Sequence, residues 1–174
     1  LLAVTSPDPY FFEDDDLATI QLISGLLASQ IFHSLQYRDT LIQSETDSLT
    51  GVHNRRKLLN KLREELERVD RYERALSVIM FDIDRFKLIN DSHGHVVGDR
   101  VLERLGELLD EETRATDVVG RYGGEEFLVV LPETRAEEAL ELADRIRSQT
   151  AELEFEGAQG EPFRVTISGG VSSV

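Results

Sequence analysis

The seven residues from Arg121 to Phe127 constrain the fold of this chain most, because their glycine pair joins two short apolar runs. The runs at 117–120 and 127–131 are rich in β-branched and aromatic residues and are bounded by glycine, which is typical of strands. Gly123 and Gly124 between them predict a tight hairpin turn. The sequence therefore predicts a β-hairpin whose tip carries the carboxylates of Glu125 and Glu126.

Two interpretations of this tip compete. Carboxylates are hard oxygen ligands that suit Mg²⁺. Glycine lets another group approach the backbone closely, so a metal with a phosphorylated substrate would fit beside the turn. A solvated acidic turn is the alternative, and it is the better interpretation of these residues taken alone.

Composition narrows the class of protein. The 174 residues suffice for one domain with an additional segment, and 40% hydrophobic with 30% charged residues is typical of a soluble globular protein. A net charge of −15 argues against a surface that coats DNA or RNA. It does not exclude a nucleotide, which a metal and a local cation cluster can hold. The absence of cysteine excludes disulfides, thiol chemistry and thiolate zinc sites.

The sequence shows no sign of membrane insertion or export. No apolar run approaches the ~18 residues of a membrane span, and no signal peptide is visible. Because Met80 is the only methionine, we expect the chain to be a fragment of a longer protein.

Residues 1–45 are predicted to hold the end of a strand, a turn-rich loop and a long helix. Acidic residues at 13–16 suit the start of that helix, and apolar residues recur every three to four positions from Leu17 towards Ser44. A narrow apolar stripe of this length along a helix favours a coiled-coil-like helix that dimerises and transmits a signal. The alternative is packing on an N-terminal domain. We expect the first half to pack in that way and the second half to act as a connector.

The run from Leu76 to Phe81 is almost continuously apolar, which indicates a strand buried on both faces. It ends in Asp82-Ile83-Asp84. Rigid strand ends commonly present functional groups, so Asp82 is predicted to bind a metal. Asp84 shares a face with Asp82 on a strand, but the N-cap of a helix starting at Arg85 is the better prediction for it.

Helical spacing of apolar residues predicts further helices at about 55–74, 99–112 and 134–150. Asp47 and Gly51 are expected to turn the chain, and Asn54 to cap the first of these helices. Residues 90–98 are rich in Asn, Asp and Gly and are predicted as a loop, whose polar side chains suit the edge of guanine. Turn chemistry alone is the alternative. Residues 154–162 are predicted as a loop and 163–168 as a strand.

Three motifs in one order resemble the GGDEF family of diguanylate cyclases. They are Asp47-x-Leu49-Thr50-Gly51-x-x-Asn54-Arg55, then Phe81-Asp82-Ile83-Asp84-x-Phe86-Lys87-x-Ile89-Asn90-Asp91-x-x-Gly94-His95-x-x-Gly98-Asp99, then Gly123-Gly124-Glu125-Glu126-Phe127. The resemblance covers about residues 46–174. It is specific, because the spacings are long and many positions match at once.

The resemblance implies a mixed α/β (α+β) fold, with a central, mostly antiparallel sheet flanked by helices and related to the palm folds of nucleotide cyclases and polymerases. It also implies a further helix and strand after residue 174, so that 46–174 would be a C-terminally truncated GGDEF domain. Residues 1–45 resemble, more weakly, the last strand and final helix of a GAF sensor domain. A different sensor with a signalling helix is the alternative.

Family likeness implies an activity. Two GTP molecules would condense to cyclic di-GMP with release of two pyrophosphates, in a cytoplasmic homodimer whose two sites face each other. Asp82, the backbone carbonyl of Ile83, Glu125 and Glu126 would hold Mg²⁺ (or Mn²⁺), with Glu125 also the base for the attacking 3′-hydroxyl.

The same likeness implies how GTP is bound. Guanine would be held by Asn90 and Asp99, with His95 nearby. Lys87 would meet the phosphates, and Gly123 and Gly124 would leave room for the nucleotide. A site made of metal ligands and nucleotide-binding residues agrees with the chemistry of phosphoryl transfer, which needs positioning and charge neutralisation more than covalent catalysis.

Arg114-x-x-Asp117 lies just ahead of the hairpin, at the spacing of the family's inhibitory product site, and Arg121 fits an accessory position there. An arginine offers a planar fork for guanine or phosphate. A surface ion pair between Arg114 and Asp117 is the alternative.

Two other functions compete with an active cyclase. One is a degenerate domain that only binds cyclic di-GMP or GTP as a receptor, and the other is a dimerisation module. Five retained residues argue against the receptor, because a receptor does not need to keep the metal acids. They are Asp82, Glu125, Glu126, Asn90 and Asp99. Only the predicted connector helix supports the module.

Overall fold

The computed structural model describes residues 45–72 and 74–174 of the chain. The predicted sensor remnant and connector helix over 1–45 lie, except for Glu45, outside the described residues. The compact unit that contains the predicted hairpin extends from Glu45 to Val174.

The central sheet has five strands in the order β1-β3-β4-β2-β7, and a separate pair is formed by β5 and β6. Only β1 and β3 run parallel; every other pairing is antiparallel. In chain order the strands are β1 (His53–Asn54), β2 (Leu76–Ile83), β3 (Val118–Arg121), β4 (Glu126–Pro132), β5 (Glu154–Glu156), β6 (Pro162–Arg164) and β7 (Ile167–Ser173).

Four helices cover the sheet within the described residues, namely α1 (Arg55–Tyr72), α2 (Phe86–His93), α3 (His95–Glu112) and α4 (Ala136–Glu152). Alternate residues of β2 face opposite ways. Ile79, Phe81 and Ile83 pack in a core with residues of α3 and α4, whereas Val78 and Met80 pack beside Leu58 of α1. The predicted fold class, a mixed α/β fold with a mostly antiparallel sheet between helices, is confirmed.

Burial on both faces explains the continuous apolar run of β2. The strand continues two residues beyond its predicted end, so Asp82 lies within β2 and not after it. Since alternate residues share a face, Asp82 projects on the same side as Met80, the side that α1 covers further along the sheet.

The turn and cap predicted before α1 are confirmed. The Asp47 carboxylate accepts hydrogen bonds from the backbone N–H of Thr50 at 3.0 Å and from its hydroxyl at 2.9 Å. Gly51 has a φ of 75°, which favours glycine. The Asn54 Oδ1 accepts the backbone N–H of Lys57 at 3.0 Å, as an N-cap does.

One loop prediction was wrong, and a second was correct only in part. Residues 90–98 belong to α2 and α3 apart from Gly94, whose φ of 85° breaks the helical run. Of residues 154–162, 154–156 form β5 and Pro162 begins β6, so only 157–161 form the predicted loop. Polar and glycine-rich sequence predicts a loop in both stretches, although most polar side chains of 90–98 and 154–156 lie on exposed faces of helices or strands.

The strand predicted at 163–168 divides between two sheets. Phe163 and Arg164 pair with β5, while β7 starts at Ile167 and continues to Ser173 along β2. Val165 and Ile167 are both buried in the core, so the chain crosses between the sheets at this point. Gly169 of β7 leaves room for the ring of Phe81 on β2, because a Cβ there would lie 2.9 Å from that ring.

Among the helices of residues 45–72 and 74–174, none is long and apolar enough to cross a bilayer.

Candidate active site

The hairpin predicted from the sequence is present, and its tip lies beside the end of β2. Strands β3 and β4 are joined by residues 122–125, and the backbone N–H groups of Tyr122 and Gly123 donate to the Glu126 carbonyl at 2.8 and 3.2 Å. The Ile83 N–H donates to the Glu125 carbonyl at 3.3 Å. The turn is therefore attached to the strand that carries Asp82.

Two carboxylates face each other across the sheet at this end. Asp82 on β2 is the register partner of Glu126 on β4 and of Ser168 on β7. Directly opposed residues share a face and have neighbouring Cβ atoms. Asp82, Glu126 and Ser168 therefore form a polar row on the α1 side of the sheet, where the apolar rows of both strands end.

The two turn glycines differ in what lies beside them. A Cβ at Gly123 would lie 2.2 Å from Glu126 Oε2, so the Glu126 side chain folds back over Gly123. A Cβ at Gly124 would meet nothing within 4 Å. The space at Gly123 is thus taken by one of the site's own acids, and only Gly124 leaves open room for another molecule.

Glu125 is the acid whose ionisation is most disturbed by this arrangement. Partial burial is the main cause that raises its pKa above the ordinary 4.5, and the nearby charges of Asp82 and Glu126 add to it. Three carboxylates thus repel one another at the tip. A divalent cation would offset that repulsion, and hard oxygen donors suit Mg²⁺ or Mn²⁺.

The carboxylates at the tip are near enough to affect one another's ionisation, but their oxygens do not converge on one point. Within residues 45–72 and 74–174, no three His, Asp or Glu side chains are arranged to hold a metal ion together. Glu126 bends over Gly123 while Asp82 extends from the strand opposite it. The donor chemistry fits a divalent ion, and the predicted ligand set of Asp82, Ile83, Glu125 and Glu126 stays a prediction.

Asp84 does not cap the following helix, so that prediction was wrong. Helix α2 begins after Arg85, which has a left-handed backbone with φ 57°, and no side chain caps it. The Asp84 carboxylate instead accepts the hydroxyls of Ser168 at 2.6 Å and Thr166 at 2.5 Å. These two hydroxyls, Ser168 first, lower the pKa of Asp84.

The predicted nucleotide-binding residues lie on the two helices that follow β2. Lys87 and Asn90 are on α2, and His95 and Asp99 are on α3. Lys87, His95 and Asp99 are exposed, and Asn90 is half-buried. A Cβ at Gly98 would lie 2.0 Å from the Asn90 Oδ1, so the amide of Asn90 rests on the backbone next to Asp99.

Arg121 holds the turn in place, a contact that the sequence did not indicate. Its guanidinium donates twice to the Gly124 carbonyl, at 2.6 and 3.2 Å, and once to the Asp47 carboxylate at 3.1 Å. Asp47 thus joins the segment that enters the domain to the tip of the hairpin. Asp47 belongs to one of the three motifs and Arg121 lies two residues ahead of another, but only the fold brings them together.

Residues 44–174 match the sequence family described as diguanylate cyclase, GGDEF domain. The chain belongs to the GGDEF family. It is 41% identical over 148 residues to the response regulator PleD of Caulobacter vibrioides, a match that covers 84% of this chain and 31% of PleD. The chain therefore spans about a third of the length of that relative.

Solved GGDEF structures share the fold. The active GGEEF domain of a diguanylate cyclase from Vibrio cholerae is 44% identical, with a TM-score of 0.65, covering 70% of this chain and 76% of that one. The GGDEF domain of DgcB from Caulobacter crescentus, solved in complex with c-di-GMP, is 25% identical with a TM-score of 0.73, covering 76% of this chain and 78% of that one.

A second candidate site of the GGDEF domain is a cleft of about 800 Å³ between α1, the start of β2 and the approach to β3. Arg114 and Asp117 both line it, and Arg121 does not. The Asp117 Oδ2 accepts the backbone N–H of Arg114 at 2.8 Å, while its Oδ1 is buried without a hydrogen-bond partner. The cations that share the cleft with Arg114 are Lys61, Arg68 and Arg74.

Proposed function

We propose that this protein is a diguanylate cyclase, which condenses two GTP molecules into cyclic di-GMP and releases two pyrophosphates. The observation that carries the proposal is the cluster of Asp82, Glu125 and Glu126 beside the open backbone of Gly124, in a chain of the GGDEF family. The substrate, the product and the full protein's activity belong to this proposal, because the chain spans only part of its relatives.

Glu125 is the proposed general base. The pKa of Glu125 is raised, and a carboxylate with a raised pKa is a better proton acceptor. In each half-reaction Glu125 takes the proton of the 3′-hydroxyl of one GTP, and that oxygen forms a bond to the α-phosphorus of the other. The bond from the α-phosphorus to the bridging oxygen breaks, and pyrophosphate leaves with its electron pair.

Asp82, Glu126, Glu125 and the Ile83 carbonyl would hold Mg²⁺ or Mn²⁺. When bound, the ion supplies neutralisation of phosphate charge and orientation of the reacting oxygens. This set is supported by the register of the sheet, in which Glu126 is the partner of Asp82 on the neighbouring strand.

Lys87, Asn90 and Asp99 are proposed to orient the nucleotide, with His95 beside them. The side-chain amide of Asn90 packs against the backbone of Gly98. This contact limits the positions open to the amide, which is the proposed hydrogen-bonding group for the guanine edge. Exposed Lys87 is on the same helix, three residues earlier, where it suits a phosphate as a point charge.

Regulation is the second part of the proposal. Product would bind at Arg114 and Asp117, which both line the 800 Å³ cleft. A homodimer would bring two GTP sites face to face, and a sensor such as a GAF domain, joined through a connector helix, would control that pairing.

The experiment that tests the activity incubates the purified full-length parent with GTP and Mg²⁺ and analyses the products by chromatography and mass spectrometry. We expect cyclic di-GMP and two pyrophosphates for each product molecule. GTP or cyclic di-GMP binding without turnover would contradict the proposal and favour the receptor. Dimerisation without nucleotide binding would favour the dimerisation module.

A further inference from the structure

Strand β2 and helix α2 meet in a corner of only two residues, Asp84 and Arg85. Arg85 has φ 57° and ψ 33°, a left-handed conformation that is strained for a residue other than glycine. Such a conformation persists only where the surroundings determine it. The direction of α2 relative to β2 depends on this corner, because no loop separates the two elements.

Three hydrogen bonds hold the corner, and all of them reach the beginning of β7. The Asp84 N–H donates to the Thr166 carbonyl at 3.0 Å. The Thr166 and Ser168 hydroxyls donate to separate oxygens of the Asp84 carboxylate, at 2.5 and 2.6 Å. Asp84, Thr166 and Ser168 are hereafter the corner clamp. Both oxygens of the Asp84 carboxylate therefore accept a hydrogen bond from the protein itself.

The corner clamp lies between the two halves of the proposed site. On one side, Ser168 is the register partner of Asp82, and Ile83 donates to the Glu125 carbonyl at 3.3 Å. On the other side, α2 begins immediately and carries Lys87 and Asn90. A rotation at Asp84 would therefore change the distance between the acids at the strand ends and the residues proposed to bind GTP.

We propose that Asp84 is a positioning residue of the cyclase, which holds the acids of β2 and the nucleotide-binding face of α2 in one geometry through the corner clamp. This inference rests on the proposed function. Asp84 acts through Thr166 and Ser168 and contacts neither the metal nor GTP. A displacement of about 1 Å at a reacting group can cost roughly 100-fold in rate, so a corner this short can affect catalysis without unfolding the domain.

A direct role is the competing explanation. On a strand, Asp84 would share the face of Asp82, and a carboxylate there could itself be a metal ligand. The two explanations differ in which variants lose activity. A ligand needs the charge of Asp84 and is indifferent to the hydroxyls, whereas a clamp needs the hydroxyls and tolerates a neutral group that still bonds to both.

Four variants of the full-length parent separate these explanations. Asp84→Ala removes the clamp from one side, and the double variant Thr166→Val with Ser168→Ala removes it from the other while it leaves the carboxylate in place. Asp84→Asn keeps one acceptor and adds one donor, so it can still bond to both hydroxyl oxygens. Asp144→Ala is the matched control, an exposed aspartate of α4 that pairs only with Arg147 in the described residues.

Three experiments are done on each variant. Steady-state kinetics give kcat and KM for GTP with Mg²⁺, a binding titration gives the affinity for a non-hydrolysable GTP analogue with and without Mg²⁺, and amide hydrogen exchange is followed over 83–90. We expect Asp84→Ala and the double variant to lower kcat/KM by about 10- to 100-fold, to weaken Mg²⁺-dependent analogue binding, and to speed exchange at the corner. Asp84→Asn is expected to stay within about 3-fold of the wild type.

Loss of activity in both Asp84 variants with a fully active double variant would overturn the inference in favour of a direct ligand. Equal activity of all four variants would overturn it as well. If the wild type forms no cyclic di-GMP, the proposed function fails. The positioning role of the corner clamp is then tested by the affinity for the GTP analogue alone. Wild-type affinity in Asp84→Ala and in the double variant would refute the positioning role in that case.

Discussion

The hairpin tip and the β2–α2 corner lie at the same end of the sheet, but their acids are held in opposite ways. In the corner, Asp84 accepts two hydroxyls and its pKa is lowered. At the tip, within the described residues, neither Glu125 nor Glu126 has a hydrogen-bonded or ion-paired cation for its carboxylate, and the pKa of Glu125 is raised. A carboxylate bonded within the protein is structural, and one left to repel its neighbours is available for a ligand.

The largest effect is expected from removing an acid at the tip. Asp82→Ala or Glu125→Ala should reduce cyclic di-GMP formation by about 1000-fold or more, because several kcal/mol of charge stabilisation are lost at the reacting phosphate. Initial rates with GTP and Mg²⁺ measure this, and Asp144→Ala serves as the exposed control. Retained activity in either variant would refute the assignment of the tip.

The two turn glycines provide a finer comparison. Gly123→Ala should displace the Glu126 carboxylate, since the new Cβ would lie 2.2 Å from Glu126 Oε2. The clash is with the end of a flexible side chain, so we expect at least about a 10-fold loss in kcat with thermal stability nearly unchanged. Gly124→Ala meets no protein atom within 4 Å.

The expected effect of Gly124→Ala is therefore on GTP affinity, seen as a raised KM with little change in the unfolding temperature. Steady-state kinetics and thermal unfolding of both variants give the comparison. Identical kinetic defects in the two variants would show that the glycines do not differ in role.

The second cleft is expected to act on regulation and not on chemistry. Arg114→Ala should raise the concentration of cyclic di-GMP needed for half inhibition by about 10-fold, because a charge-assisted hydrogen bond contributes about 1.5–3 kcal/mol. Titration of the initial rate with added product measures the shift. An unchanged inhibition curve would show that product does not bind at Arg114 in the 800 Å³ cleft.

The smallest effect is a pair of opposite pH dependences in stability. The raised pKa of Glu125 keeps its proton in the folded state over pH values at which the unfolded chain has lost it. Its ionisation therefore lowers stability as pH rises above the ordinary 4.5. Glu125→Gln should therefore gain stability relative to the wild type as the pH rises above 4.5.

Asp84 should show the reverse. Its lowered pKa means that its contribution is present above the ordinary value of 3.8 and is lost as pH falls through the folded value. Asp84→Asn should therefore be less stable than the wild type above that value, and the difference in stability should shrink as the pH falls. Thermal unfolding of the metal-free protein at several pH values checks both signs, and parallel curves for the two variants would contradict the contrast.

Sequence patterns predicted the hairpin, the buried strand and the amphipathic helices, because these depend on local periodicity and turn chemistry. They failed at 90–98, where a single glycine breaks one helix from the next and the polar residues lie on exposed faces. They failed again at 163–168, where the chain changes sheets between two buried residues. Nothing local in the sequence marks such a crossing.

The candidate site shows the same division. Asp82 and the two glutamates stand out in the sequence because they lie next to apolar runs that predict strands, and family resemblance supplies their roles. The bonds of Asp84 to Thr166 and Ser168 join residues more than 80 positions apart, and the bond of Arg121 to Asp47 spans 74. Only the folded sheet reveals these contacts, which decide which acids remain available.

The most direct test of this account is Mn²⁺ binding to the full-length parent in the presence of a non-hydrolysable GTP analogue, followed by electron paramagnetic resonance. The account predicts that the wild type and Asp84→Asn bind Mn²⁺ with similar affinity, whereas Asp82→Asn and Glu125→Gln bind it at least about 10-fold more weakly. Undiminished binding in Asp82→Asn and Glu125→Gln, or loss of binding in Asp84→Asn alone, would contradict it.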